Sequence, residues 1–191
     1  MEQTKWAPNV VLVDADYLDN VAFDLTVNFE RMIGRRIEQA DLCHWIDCIA
    51  LDSGLRPGDN EVQVHFLHSK QRDGLKYFNP SKFDADLNGL SFKDNLGHFS
   101  LFAFPVEEVV EKDEFVVQSL TMLADAKEIQ RLAVVADMEA YGDRIRKICA
   151  NTEGKEICLF AMEPQSGRGF SQEILGYSLM SALGIKGEEL R

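Results

Sequence analysis

The sequence predicts one α/β domain over residues 1–191, a three-layer sandwich built on a mostly parallel central sheet. Three observations lead there. Short apolar runs at 10–13, 132–136 and 157–161, the first of them β-branched, suit strands buried on both faces. Stretches with apolar residues at helical spacing separate these runs. A chain of 191 residues is long enough for one continuous core and short for two domains. Strand and helix alternate, and a parallel neighbour is reached only by a crossover, so the connections are expected to be right-handed β-α-β units.

Val10-Val11-Leu12-Val13 is the first predicted strand, and it runs into Asp14-Ala15-Asp16. Val21, Leu25, Phe29, Met32, Ile33 and Ile37 recur at helical spacing and predict a helix over about residues 20–39. A second helix is expected over 41–55, stopped by Gly54 and Pro57. Residues 61–68 alternate polar and apolar, which predicts a strand with one wetter face. Residues 69–98 contain Asn79-Pro80, Asn88-Gly89 and Asn95-Leu96-Gly97, and so read as a long loop with a short helix near 81–90. Further strands are expected at 99–104, 132–136 and 157–161, with helices near 113–129, 139–150 and 171–183.

Charge and composition bound the function. The net charge of −12 repels polyanions at long range and gives no help in finding RNA or DNA. No apolar run reaches the roughly 18 residues of a membrane span, and residues 1–6 lack the apolar centre of a signal peptide, so a cytoplasmic protein with no membrane partner is predicted. Cys43, Cys48, Cys149 and Cys158 are scattered without a C-x-x-C pair and read as reduced thiols.

The chemistry concentrates in carboxylates at strand ends. Ligands of an open parallel sheet bind beyond the carboxyl ends of the strands, where strand order reverses. Asp14 follows the first strand and Asp137 follows Val134-Val135-Ala136, so both are expected to open toward one edge. Asp113, at the start of a helix, is predicted to reach the same crevice, with Glu139 two residues beyond Asp137. Clustered carboxylates repel and raise one another's pKa unless a divalent cation joins them, and Mg²⁺ or Mn²⁺ prefers such hard oxygen ligands. Each acid also suits the N-cap of the helix that follows it, Asp14 least of all, because a fully apolar strand delivers it alongside Asp16.

Three motifs in this order resemble the NYN domain, a branch of the PIN-like ribonuclease superfamily. Val10 to Leu18, Val-Val-Leu-Val-Asp-Ala-Asp-Tyr-Leu, is similar to its first motif, Glu111-Lys112-Asp113 to its second, and Val135-Ala136-Asp137-Met138-Glu139-Ala140 to its third. The likeness runs through about Ala161. It implies a Mg²⁺- or Mn²⁺-dependent ribonuclease with Asp14, Asp113 and Asp137 as metal ligands, Glu139 as a further catalytic acid, RNA as partner, and Asp16, Tyr17 and Lys112 facing the substrate. Four positions depart from the pattern: Tyr17 stands for Asn, Ser119 for a second helix Asp, Val135-Ala136 for Ser-Gly, and Ala140 for an aromatic residue. Each departure removes polarity or space. A second reading is therefore a catalytically degenerate domain acting in protein–protein assembly, as a homo-oligomer or with another protein, through the apolar face of the final helix (Ile174, Leu175, Leu179, Met180).

The opening Leu12-Val13-Asp14-Ala15-Asp16 also looks like the first motif of haloacid-dehalogenase-type phosphatases, with Asp14 as nucleophile and Asp16 as acid/base. Asp137 to Asp143 has the wrong spacing for their later acidic motif. His65 and His68, three apart in a strand, are expected on opposite faces as strand-edge polar residues. Ser166-Gly167-Arg168-Gly169-Phe170 is expected just before the last helix. Arg31, Arg35 and Arg36, with Lys70, Arg72, Lys76 and Lys82, are the main cations; given the net negative charge the 69–98 segment reads first as a solvated surface loop, the alternative being contact of Tyr77, Phe78 and its cations with a strand of RNA.

Overall fold

The computed structural model describes residues 5–106 and 111–191, so the first four residues of the leader argument lie outside the described residues. In chain order its elements begin with β1 (Asn9–Asp14), α1 (Ala15–Ile33), β2 (Ala40–Asp41) and α2 (Leu42–Asp52). There follow β3 (Asn60–His68), β4 (Phe78–Asn79), a π-type turn at Phe83–Leu87, β5 (Ser91–Asp94) and β6 (Gly97–Pro105). The remainder is α3 (Lys112–Asp125), β7 (Arg131–Val135), α4 (Met138–Ala150), β8 (Glu156–Ala161), β9 (Ser171–Ile174), α5 (Leu175–Ala182) and a 3₁₀ turn at Gly187–Leu190.

Seven strands form one sheet in the order β5-β6-β3-β1-β7-β8-β9. All neighbours are parallel except the β5/β6 hairpin. The mostly parallel α/β sheet predicted from the sequence is thus present. Its two faces carry separate cores. Val11, Val13, Val64, Phe66 and Phe160 pack under α1, α2 and α5, through Leu18, Trp45, Ile49, Leu175 and Leu179. Val10, Leu12, Leu132, Val134 and Leu159 pack under α3 and α4, through Val116, Leu120, Tyr141 and Ile145. Alternate residues of β1 therefore serve opposite layers, which is why its run is apolar throughout.

The chain leaves β1 toward β3 and β6 on one side and returns to β7 on the other. Strand order thus reverses at the carboxyl ends of β1 and β7, where Asp14 and Asp137 lie.

Several expectations need correction. The first helix starts at Ala15 and ends at Ile33, where Gly34 takes φ +69° and its N–H bonds the Glu30 carbonyl; Ile37 is buried but lies outside the helix. Residues 171–174 are not helical. They pair with β8 as the edge strand β9, and α5 begins at Leu175, so the glycine-rich turn precedes a strand. The 69–98 region is more ordered than a loop, since β4 pairs with β2 and β5 pairs with β6. His65 and His68 do face opposite sides, but neither is at a sheet edge: both are buried, His65 against Trp6, Phe102 and Phe104, and His68 stacked on Phe83. No described helix is long and apolar enough to cross a membrane.

Candidate functional site at the carboxyl ends of strands β1 and β7

Asp14 ends β1 and caps α1, its Oδ1 accepting the Tyr17 N–H at 3.2 Å. The side chain has no solvent exposure. Its other oxygen, Oδ2, accepts two further donors: Lys112 Nζ at 2.6 Å and the Tyr141 hydroxyl at 2.5 Å. Lys112, the first residue of α3, also lies 3.0 Å from Asp113 Oδ1 and 5.9 Å from the centre of the Tyr141 ring. Tyr141 in turn accepts the Asp137 N–H at 3.2 Å, and its own backbone leaves the helical region at φ −141°, ψ 23°. Asp137 caps α4 by accepting the Ala140 N–H at 3.2 Å.

Burial governs the protonation chemistry. It raises the Asp14 carboxyl pKa, against the opposing pull of the Lys112 charge, the Lys112 and Tyr141 hydrogen bonds and the Tyr17 N–H. Burial would lower the Lys112 pKa, but Asp14 and Asp113 outweigh it, so the ammonium is held above its ordinary value. The Tyr141 phenol is raised by burial and then by Asp14, and it stays a neutral donor. Tyr17 is pushed up to about 12 by burial and by the fields of Asp137, Glu139 and Asp14.

The sequence-predicted residues therefore divide. Asp14, Lys112 and Asp113 form one connected cluster; Asp137 meets it through its backbone N–H on the Tyr141 hydroxyl, while its carboxylate caps α4. Glu139 is exposed and lines a separate crevice of about 200 Å³ with Tyr17, Asp137, Met138, Ala161, Met162, Glu163 and Gln165. Asp16 turns away: its oxygens accept the Ser69 N–H at 3.2 and 3.3 Å, with Arg72 Nε at 3.7 Å. The two acids of the phosphatase-like motif thus serve different neighbours. Asp113 is not a helix cap, since α3 begins one residue before it. Tyr141 was missed by the sequence reading. Its one signal is the spacing of four from Asp137, which puts the phenol on the turn of α4 that faces the strand ends.

The metal implied by the NYN resemblance does not fit these donors. Both Asp14 oxygens carry N–H or O–H donors, and the Lys112 ammonium already supplies the neutralising positive charge at 2.6 Å. Among the described residues no three His, Cys, Asp or Glu side chains gather into a group able to hold an ion.

Part of the predicted nucleic-acid surface is similarly neutralised. Arg72 bonds Asn20 Oδ1 at 2.9 Å and lies 3.7 and 3.8 Å from Asp16 and Asp19. Lys82 pairs with Asp73, and Arg35 with Glu189. Phe78 is fully buried, whereas Tyr77 meets Phe23 at the surface. The apolar face proposed for assembly is also consumed, because Leu175 and Leu179 belong to the core; Tyr177, on the other face of α5, is 71% exposed.

Over residues 3–190 the chain matches a family of unknown function (DUF6621). No curated protein and no solved structure matches it.

Proposed function

The chain belongs to the DUF6621 family, and we propose that it is a PIN/NYN-like domain without hydrolytic activity that works by binding, in protein assembly through a surface other than the core-packed Leu175/Leu179 face of α5. One observation carries this reading: the Lys112 ammonium lies 2.6 Å from the buried Asp14 carboxylate, with the Tyr141 hydroxyl on the same oxygen. An ammonium bonded to the central acid supplies the positive charge a divalent ion would bring, and it offers neither an open coordination position nor an acidified water. The Lys112 side chain comes from a different element, so it is a tertiary substitute for a ligand rather than a local accident. A net charge of −12 and the ion-paired state of Arg72, Lys82 and Arg35 also favour a protein partner over RNA.

Calorimetric titration with Mn²⁺, alongside thermal melting and incubation with single-stranded RNA, tests the reading. The expected result is no binding heat, no thermal stabilisation and no cleavage. Mn²⁺ binding that disappears in Asp14→Asn, or Mn²⁺-dependent cleavage that disappears in Asp137→Asn, would restore the ribonuclease reading. Sedimentation at several concentrations then separates self-association from assembly with a different protein.

A further inference from the structure

The crevice beside the strand-end cluster lies where strand order reverses, the place at which ligands of an open parallel sheet bind. Three segments wall it: Tyr17 from the first turn of α1, Asp137, Met138 and Glu139 from the cap and first turn of α4, and Met162 and Glu163 from just beyond β8. Its apolar surface is an aromatic ring and two thioethers, of which that of Met162 is 37% exposed. The carboxylates of Asp137, Glu139 and Glu163 stand on its walls, and no Lys, Arg or His is among the described residues that line it. The Lys112 ammonium is engaged by Asp14 and Asp113. Burial and then the charges of Asp137, Glu139 and Asp14 push the Tyr17 phenol up to about 12, so the ring and these carboxylates share one electrostatic space.

Resting on the assembly reading, we propose that this crevice receives one arginine side chain of a basic protein partner. Size narrows the occupant. At about 200 Å³ the space is smaller than the roughly 300 Å³ at which small-molecule sites begin, and it holds about seven waters or one long side chain. Charge then selects a cation. A metal ion does not fit, because among the described residues no three His, Cys, Asp or Glu side chains converge on one point. A guanidinium does fit: it is planar and weakly hydrated, spreads five N–H donors over a fixed fork, and stacks on an aromatic face. The Tyr17 ring and the thioethers take its stem and its face, and the carboxylates take its N–H groups. Free arginine is the poorer occupant, since its own α-carboxylate would meet the acidic walls; within a peptide chain that charge is gone.

Long-range and local features act in the same sense. A net charge of −12 speeds encounter with a basic surface. Glu139 and Glu163 are exposed and meet the partner first, whereas Tyr17 and Asp137 are half-buried and form the inner wall. That wall is preorganised. The Ala140 N–H already fixes the Asp137 carboxylate, and the Tyr17 N–H is bonded to the fully buried Asp14, so little rotamer freedom is lost when the guanidinium arrives.

Amide NMR of the full-length protein, titrated with Nα-acetyl-argininamide and in parallel with the uncharged isostere Nα-acetyl-citrullinamide, tests the proposal. The expected result is a saturable shift of the Tyr17, Met138, Glu139, Met162 and Glu163 amides, with half-saturation at about 1 mM for a single side chain, and no saturation with the citrulline compound. Glu139→Gln combined with Glu163→Gln should weaken arginine binding about tenfold, and both side chains are exposed, so the fold is kept. Glu188→Gln, at an exposed acid of the 3₁₀ turn, should leave binding unchanged. No saturable shift, shifts scattered over the acidic surface, equal shifts with the citrulline compound, or binding indifferent to the paired variant overturns the crevice assignment. Mn²⁺ takes no part in this titration. Failure of arginine to bind therefore leaves the non-hydrolytic reading on its own test, and Mn²⁺-dependent cleavage would overturn that reading whichever way arginine behaves.

Discussion

A fully buried carboxylate costs several kcal/mol of lost hydration and persists only where donors replace the water. Asp14 has three: the Tyr17 N–H, the Tyr141 hydroxyl and the Lys112 ammonium. Lys112 alone supplies charge, so its removal strands the carboxylate. Lys112→Met should cost about 3 kcal/mol in urea unfolding, and Asp14→Asn in the same chain should recover most of that loss, because the amide needs no counter-ion. A loss under about 1 kcal/mol, or additive single variants, would mean that Asp14 does not depend on the ammonium. Residue by residue, the site was half legible. Asp14 and Asp137 stand out because each ends an apolar run, and both are helix caps, Asp14 against the expectation that it is the least cap-like of the acids. Lys112 was singled out as facing the substrate, and its sequence neighbours do not disclose that its ammonium crosses to β1. Tyr141 hides among the apolar residues of its helix because only its hydroxyl is polar.

At the level of elements, central strands announce themselves and edge strands do not. β1, β7 and β8 are covered on both faces, and their runs are correspondingly apolar. Ser91-Phe-Lys-Asp in β5 and Ser171-Gln-Glu-Ile in β9 are mostly solvated, so no pattern distinguishes them from loop or helix; their conformation is set by the strands they pair with. The β5–β6 hairpin shows how sharply a single position can be constrained. Gly97 starts β6 at φ +144°, and a Cβ there would lie 2.1 Å from the carbonyl oxygen of Asn60, its partner in β3. Gly97→Ala should therefore destabilise by about 3 kcal/mol or more, through both strain and overlap. Gly89, at φ +89° with nothing near its missing Cβ, faces the backbone term alone, and Gly89→Ala should cost about 1 kcal/mol. Equal losses in urea unfolding would show that overlap with Asn60 is relieved at no cost.

For the molecule as a whole, alternating strand and helix signals were enough for the layered parallel sheet, but not for strand order. That β1 lies at the centre depends on pairings between residues far apart in the chain, such as Val11 with Val64 and with Ala133. The same long-range packing gives the fold a pH dependence that no local sequence shows. His65, in central β3, is enclosed by Trp6, Phe102 and Phe104, and burial pushes its pKa down to about 4. An unfolded histidine titrates near 6.5, so above that value the ring is neutral in both states and contributes no pH dependence. As pH falls from about 6.5 toward 4, the unfolded chain takes up a proton that the folded one refuses, and stability drops by about 3 kcal/mol across that window. Carboxylates raised by burial, Asp14 and Asp19 among them, work in the opposite sense, so the effect of His65 is isolated only by difference. His65→Phe keeps an aromatic ring in the same enclosure and removes the titration. Unfolding free energies of the two proteins, measured from about pH 7.5 down to about 4.5, should run parallel above 6.5 and then diverge in favour of the variant. Curves that stay parallel throughout would mean that the buried imidazole accepts its proton inside the fold, and that the aromatic enclosure opens to water without unfolding.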